Sequence, residues 1–422
     1  MKMKRLSVLI ASTLIMTSTL VGCGSTSSSS GSSTSTETTK KLSGKIVFAT
    51  TRTDIADTKL KDLADEFMKA NPGTEVTFEG IKDYDQTVGT RVAAGEAPDI
   101  YYHLKTMTKE TLGQYFVPID DLGFTKDKVS FYTAGLGKDG KLYGITDSVS
   151  YLGIAYNKKA FATAGITATP KTLDEFYSAC EKLKAAKIIP MGTAFKDEWT
   201  LYPWDGVDYV SLNHAGNINH KLDYAKQDKI IDDAELASFK IIRNMKQKGY
   251  LEADLVSAGW DQLKKDMAQA KVGMYFIETW FPPQLLDGGA KPEDLGMFPF
   301  PGTKGIMAGS GKTWGISKDS KSPELAKAFY KYVMQDGKYA KAQSVISSIK
   351  GQTPSDAFVK ELLASGLPIV ENVDTPSDFT EIMNKSEISL DKILQAYILA
   401  PSDAAAEKVV NDTNAKWVNA KK

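Results

Sequence analysis

The chain has 422 residues, 42% of them hydrophobic and 25% charged, which excludes a wholly disordered, collagen-like or polytopic membrane protein and suits two to three domain-sized units, most economically two lobes. Lysine plus arginine equal aspartate plus glutamate at 52 each, so no net field draws the protein to nucleic acid or anionic lipid, and its partners must be recognised locally. The only cysteines are Cys23 and Cys180, too few for a disulfide framework or a cysteine-rich zinc site.

Residues 1–22 come first: Lys2, Lys4 and Arg5 precede the apolar run from Leu6 to Val21. This is the order of a signal peptide, and the serines and threonines that interrupt the run leave it short of a spanning helix. The sequence Leu20-Val21-Gly22-Cys23 resembles the bacterial lipobox, in which cleavage before the cysteine and acylation of its thiol leave a lipid-anchored chain. Gly24 to Thr39 is almost all Gly, Ser and Thr. Residues 23–44 are therefore expected to form the lipidated cysteine and a flexible tether. Removal of the signal leaves the mature chain slightly acidic.

From residue 45 onward strands and helices alternate. Lys45 to Ala49 reads as a strand, followed by an amphipathic helix carrying Leu60, Leu63 and Phe67. Asn71-Pro72-Gly73 stops that helix, and the alternation around Val76 and Phe78 predicts a second strand. Ile100 to Tyr102 and Tyr143 to Tyr156 supply further strands. Thr172 to Glu175 is a capping box ahead of a helix with Leu173, Phe176, Cys180 and Leu183 on one face, which puts Cys180 in a core rather than in a reactive site. Trp260, Leu263 and Met267 mark a helix leading into the strand Val272 to Ile277, and Ser322-Pro323 opens a helix with Leu325, Phe329 and Tyr332 inward. Strands separated by helices predict an α/β protein with parallel sheets covered on both faces.

Several motifs fail on context. Gly309 to Thr313 resembles the end of a phosphate loop, but the required first glycine falls at Ile306. Gly135 to Gly140 satisfies G-x-G-x-x-G yet leads into a strand, so it reads as a turn. His103, His214 and His220 are the only histidines, and neither HExxH nor G-x-S-x-G occurs. No metal or cofactor is expected.

Taken in order, several segments resemble the extracellular solute-binding proteins of ABC importers, specifically the large sugar-binding class that includes maltose-binding protein. After the lipobox and tether they are Thr51 to Asp54, Asp83-Tyr84, Ala97 to Ile100, Leu142 to Ile145, Ala155 to Phe161 with Gly165-Ile166 and Pro170 to Thr172, then Gly273-Met274, Trp280, Trp314 to Lys318 and Pro323 to Ala326. The resemblance implies a two-lobed periplasmic-binding-protein-like fold with a hinge and a central ligand cleft. It assigns residues 45–153 plus 314–353 to the N-terminal lobe and 154–313 plus 354–422 to the C-terminal lobe. It also implies a monomer held at the outer face of the cytoplasmic membrane by lipid alone, whose partners are a carbohydrate and the permease subunits of an importer.

In open α/β sheets ligands bind beyond the C-terminal ends of strands, which points to Arg52 and Asp54, His103, Asp147 and Tyr151 in the crossover region, and the residues after the strand ending near Ile277; Asp83 and Tyr84 are implied by the resemblance alone. A pyranose is held by an aromatic ring against its C–H face and by carboxylate, amide or guanidinium groups around its rim. Trp280, at a strand end beside Phe281-Pro282-Pro283, is the leading platform; Trp199 and Trp314 join it, while Trp260 shares a helical stripe with Leu263 and Met267 that reads as core. Asp54 is either a rim contact or a helix cap, and Asp83 and Tyr84 are either contacts or a turn and a packed ring. His103 departs from the aromatic of the maltose-binding type. A non-sugar solute receptor and a glycoside-active enzyme with paired acids are the alternatives.

Overall fold

The computed structural model describes residues 41–204, 223–286, 288–352, 356–371 and 376–422. The expected signal peptide, the lipidation site Cys23 and nearly all of the tether lie outside the described residues. In chain order the strands are β1 (Gly44–Thr50), β2 (Thr74–Gly80), β3 (Ile100–Tyr102), β4 (Ile145–Thr146), β5 (Ser148–Asn157), β6 (Ile189–Gly192), β7 (Val272–Glu278), β8 (Leu295–Phe298), β9 (Ile306–Ser310), β10 (Thr313–Ile316), β11 (Ile346–Ser347) and β12 (Ile369–Glu371). They form two sheets. One runs β2-β1-β3-β10-β4; the other runs β12-β9-β5-β7-β6, with β8 and β11 also paired to β5.

The expectation of parallel sheets is corrected. β1 is parallel to β2 and β3, β6 to β7, and β9 to β12. β10 is antiparallel to β3 and β4, and β5 is antiparallel to β7, β8, β9 and β11. The cause is topological, because strands that return from one sheet to the other enter without a local helical crossover to set their direction.

Local signals read from the sequence are realised where a short-range interaction enforces them. Thr172 and Glu175 close the capping box on the helix Leu173–Ala185, whose buried face holds Phe176, Cys180 and Leu183. Burial pushes the Cys180 thiol well above its ordinary pKa, which fits a packing role. Asn157, in the stretch Ala155 to Phe161, accepts from the Lys159 and Ala160 amides to cap the helix Lys158–Thr163 and donates to the Met267 carbonyl at 2.8 Å. One side chain thus starts a helix and ties it to the neighbouring helix Trp260–Ala268. Gly135 to Gly140 is a turn, with Gly137 bonded to the Lys141 carbonyl and Gly140 to that of Gly137.

Each sheet has its own core. Phe48, Phe78, Tyr101, Trp314, Phe329 and Tyr339 are among the side chains packed in the first lobe. In the second lobe β7 is buried on both faces: Met274 and Phe276 join one cluster, Tyr275 and Ile277 another. That double burial explains its uninterrupted apolar run. The chain passes between sheets at Asp147, between β4 and β5, again at Gly311-Lys312, between β9 and β10, and a third time between β10 and β11. The first crossing lies ahead of the expected boundary at residue 153, and β11 pairs with β5 although residues up to 353 were assigned to the first lobe.

Candidate functional site

The crossings lie side by side. Asp147 N donates to the Lys312 carbonyl at 3.0 Å, Gly311 N to that of Ser148 at 2.8 Å, and Ser348 N to that of Asp147 at 3.4 Å. The Asp147 carboxylate is 7% exposed and accepts from Ser148 Oγ at 2.8 Å, Trp314 Nε1 at 3.0 Å, Lys312 N at 3.1 Å and Gln343 Nε2 at 3.2 Å. Burial holds its pKa above the ordinary carboxylate value, against the pull of these donors. Gly311 is required here, since a Cβ would stand 2.1 Å from both Asp147 Oδ1 and Ser148 Oγ. Asp147 is the keystone of the hinge, and its oxygens face protein donors.

One wall begins where β1 ends. Thr50 Oγ1 and Tyr339 OH share a hydrogen bond of 2.9 Å, fixing the exit of the strand. Arg52 then grips Asp54 in a two-pronged ion pair, Nε to Oδ1 at 2.8 Å and Nη2 to Oδ2 at 2.7 Å, and reaches the Gln343 carbonyl with Nη1 at 3.3 Å. The Arg52 hydrogen bond keeps the Asp54 carboxyl below its ordinary pKa. Asp54 is therefore the partner of Arg52 and not a helix cap. Beyond β3, His103 packs on Phe116 with ring centroids 4.6 Å apart and faces the Tyr143 carbonyl at 3.4 Å; burial pushes its imidazole down to about 4, so the ring is neutral at neutral pH.

The other wall is aromatic. Trp199, 43% exposed, lies 5.0 Å from Trp260 and 6.3 Å from Trp280 by ring centroid, and Trp260 lies 5.9 Å from Trp280. The cluster has a buried footing in Tyr275 and Phe281, both against Trp260. Asp197 accepts from Trp260 N and so seats the helix Trp260–Ala268. Glu278, at the end of β7, accepts from Trp280 Nε1 at 2.9 Å.

The two walls are within electrostatic reach of each other. Lys264 stabilises the Asp54 carboxylate and Lys82 that of Asp261, each pair drawn from opposite lobes. Lys312 stands between them, its ammonium 4.9 Å over the Tyr102 ring. Burial of that group lowers its pKa, while Asp85, Asp147 and Glu278 favour its charge, and the residue as a whole keeps contact with solvent. To one side of the Arg52–Asp54 pair and the tryptophans, a cavity of about 820 Å³ is lined by His103, Lys105 and Thr108 after β3, by Lys312 at the crossing, and by Ser377 and Thr380.

Arg52, Asp54 and His103 thus follow strands of the first sheet and Trp199 and Trp280 stand on the second, with Asp147 at the crossing between the sheets. Four other candidates are placed elsewhere. Tyr84 is 4% exposed, stacked on Tyr102 at 4.1 Å and bonded to the Ala49 carbonyl; Trp314 is 1% exposed and packs on Phe48. Both are core rings. Asp83 occupies an exposed turn at φ 48° without a capping bond from its side chain. Tyr151 lies on the opposite face of β5 from Ser150 and lines a separate cavity of about 230 Å³ with Ser347, Ile369 and Glu371, as the two-residue period of a strand demands. Sequence reasoning passed over Ser150, Glu278, Lys312 and Gln343 as site residues and read Trp260 as core. Lys312 carried a signal in the failed phosphate loop, whose paired glycines mark close backbone approach.

An aromatic surface opposite guanidinium, carboxylate and ammonium groups, with the chain crossings between, is built to enclose a polar solute with an apolar face. Residues 52–340 match the family described as bacterial extracellular solute-binding protein. The Multiple sugar-binding protein of Streptococcus mutans serotype c is 26% identical over 287 residues, 66% of this chain and 68% of its own. The Diacetylchitobiose binding protein DasA of Streptomyces coelicolor is 27% identical over 326 residues, 70% of this chain and 73% of its own. Among solved structures, a binding protein of an ABC transporter from Bifidobacterium animalis subsp. lactis in complex with mannotriose superimposes with a TM-score of 0.76 at 23% identity, covering 91% of this chain and 96% of that one. The family match spans more than half of the chain, and with the two sheets joined at a hinge it leads to one conclusion: this protein belongs to the bacterial extracellular solute-binding proteins.

Proposed function

We propose that the protein is the carbohydrate receptor of an ABC importer, capturing a mono- or oligosaccharide between its lobes and delivering it to the permease without chemical change. The observation that carries this reading is the group of Trp199, Trp260 and Trp280 opposite the Arg52–Asp54 pair. Stacked rings and a charged rim are the two contacts a pyranose uses, and the breadth of the indole cluster favours more than one sugar ring. The names of the two relatives and the mannotriose complex support a saccharide over other solutes. The two sheets with their cores would be the moving lobes, closing about Asp147 and Gly311-Lys312.

A panel of oligosaccharides in a thermal-shift assay tests the reading. A ligand that binds only the folded chain stabilises it by about 2.7 kcal/mol at a hundredfold excess over Kd, and small-angle scattering at saturation should show a smaller radius of gyration. Stabilisation by a peptide or polyamine, with no response to any saccharide, would replace the sugar by another solute.

Anchoring is the second part of the proposal. Acylation of Cys23 would hold the chain at the outer face of the membrane through its tether. Cys23→Ala should abolish fatty-acid labelling and leave the precursor uncleaved at the lipobox; mature wild-type protein without lipid would refute the anchor.

A further inference from the structure

Three strands converge behind the Trp280 indole. In the β5–β7 register Leu152 lies opposite Glu278, and in the β5–β9 register Ser150 lies opposite Gly309. Ser150 Oγ donates to Glu278 Oε2 at 2.7 Å, and Trp280 Nε1 donates to the same oxygen at 2.9 Å. The other oxygen occupies the space in front of Gly309, where a Cβ would come within 2.9 Å of Oε1. The carboxylate is thus seated on β7, oriented from β5 and given room by β9.

An indole beyond a strand end turns about two side-chain bonds, and its packing on Trp199 and Trp260 is tilted, at 35° and 48°, which leaves its rotation loosely determined. A hydrogen bond from Nε1 to a charged acceptor of fixed direction removes that freedom. We infer that Glu278 is the positioning residue for the Trp280 platform: it presets the plane on which a sugar ring stacks, so that the ordering is complete before ligand arrives. This rests on the carbohydrate reading. It adds a residue whose oxygens act through the indole, and it explains why Ser150 and Gly309 stand where they do.

The test needs a readout with and without ligand. In protein labelled with 15N at tryptophan, the Trp280 indole N–H, assigned by its loss in Trp280→Phe, should be shifted and protected from solvent exchange. Glu278→Ala should remove both features and weaken binding of mannotriose or raffinose about tenfold, the worth of one charge-assisted hydrogen bond. Glu278→Gln keeps an acceptor oxygen and should recover most of the affinity. Gly309→Ala displaces the carboxylate without deleting it and should move the same resonance, which keeps the test open if Glu278→Ala folds poorly. An unmoved indole resonance in both Glu278→Ala and Gly309→Ala, or unaltered affinity in a Glu278→Ala protein whose resonance has moved, overturns the positioning role. A wild-type chain that binds no saccharide of the panel overturns the reading beneath it, whatever the resonance does.

Discussion

Trp280→Ala should weaken saccharide binding about thirtyfold, equivalent to about 2 kcal/mol, while leaving the fold largely intact. The indole is only part-buried and sits at the edge of a cluster whose footing, Tyr275 and Phe281, contacts Trp260 at 6.2 and 5.2 Å. Truncation therefore removes a stacking face without opening the core beneath. Trp199 and Trp260 remain, but their centroids lie 6.3 and 5.9 Å away, too far to take over the same ring of the ligand. Trp280→Phe should recover part of the loss, because a smaller ring still offers a face. Titration calorimetry with the saccharide found in the thermal-shift panel measures both variants, and unchanged affinity in Trp280→Ala would remove this indole from the site.

The second large effect is expected in stability. Asp147→Ala leaves the buried Trp314 indole N–H and the part-buried Lys312 amide without their acceptor. Each orphaned buried donor costs about 1–3 kcal/mol, so a loss on the order of 3 kcal/mol should be read from urea unfolding. Asp147→Asn should fall between, since its amide group faces donors where the carboxylate accepted. The pH dependence has a definite sign. Because burial raises the folded pKa above the ordinary carboxylate value, the folded state keeps a proton that the unfolded chain has released. Stability from this group is therefore full below the ordinary value and is lost as pH rises through the raised one. Relative to Asp147→Asn, the wild type should lose stability on going from acid toward neutral pH. A change in the opposite direction would mean that the four donors outweigh desolvation.

What the sequence revealed follows the range of the interactions. The capping box at Thr172, the buried face through Cys180, the strand end at Tyr102 and, to within one residue, that at Glu278 depend on neighbours within a few residues, and all were legible. Trp280 was placed by the rule that loops after strand ends hold ligands. Tyr84 and Trp314 were candidates by the resemblance, yet tertiary packing turned their rings into the first core, and local sequence carries no record of it. On β5 the choice between Ser150 and Tyr151 is set by partners more than a hundred residues away, Glu278 and Ala308. A one-residue parity error exchanges the faces. Trp260 shares its stripe with the buried Leu263 and Met267, but as the first residue of its helix it extends beyond the core they fill.

The strand order β2-β1-β3-β10-β4 also governs how the chain can fold. β10 is an inner strand of the first sheet, yet it is separated from β4 by the whole of β5 to β9. Until β10 arrives, β3 and β4 have no strand between them, and Trp314 is missing from the core formed around Phe48 and Tyr339. The N-terminal half therefore cannot finish ahead of the C-terminal half. Its completion waits on contacts of large sequence separation, which slow folding and expose unpaired strand edges in the interval. The same repeated crossing that makes a hinge in the finished molecule ties completion of the first sheet to a strand drawn from a distant part of the chain.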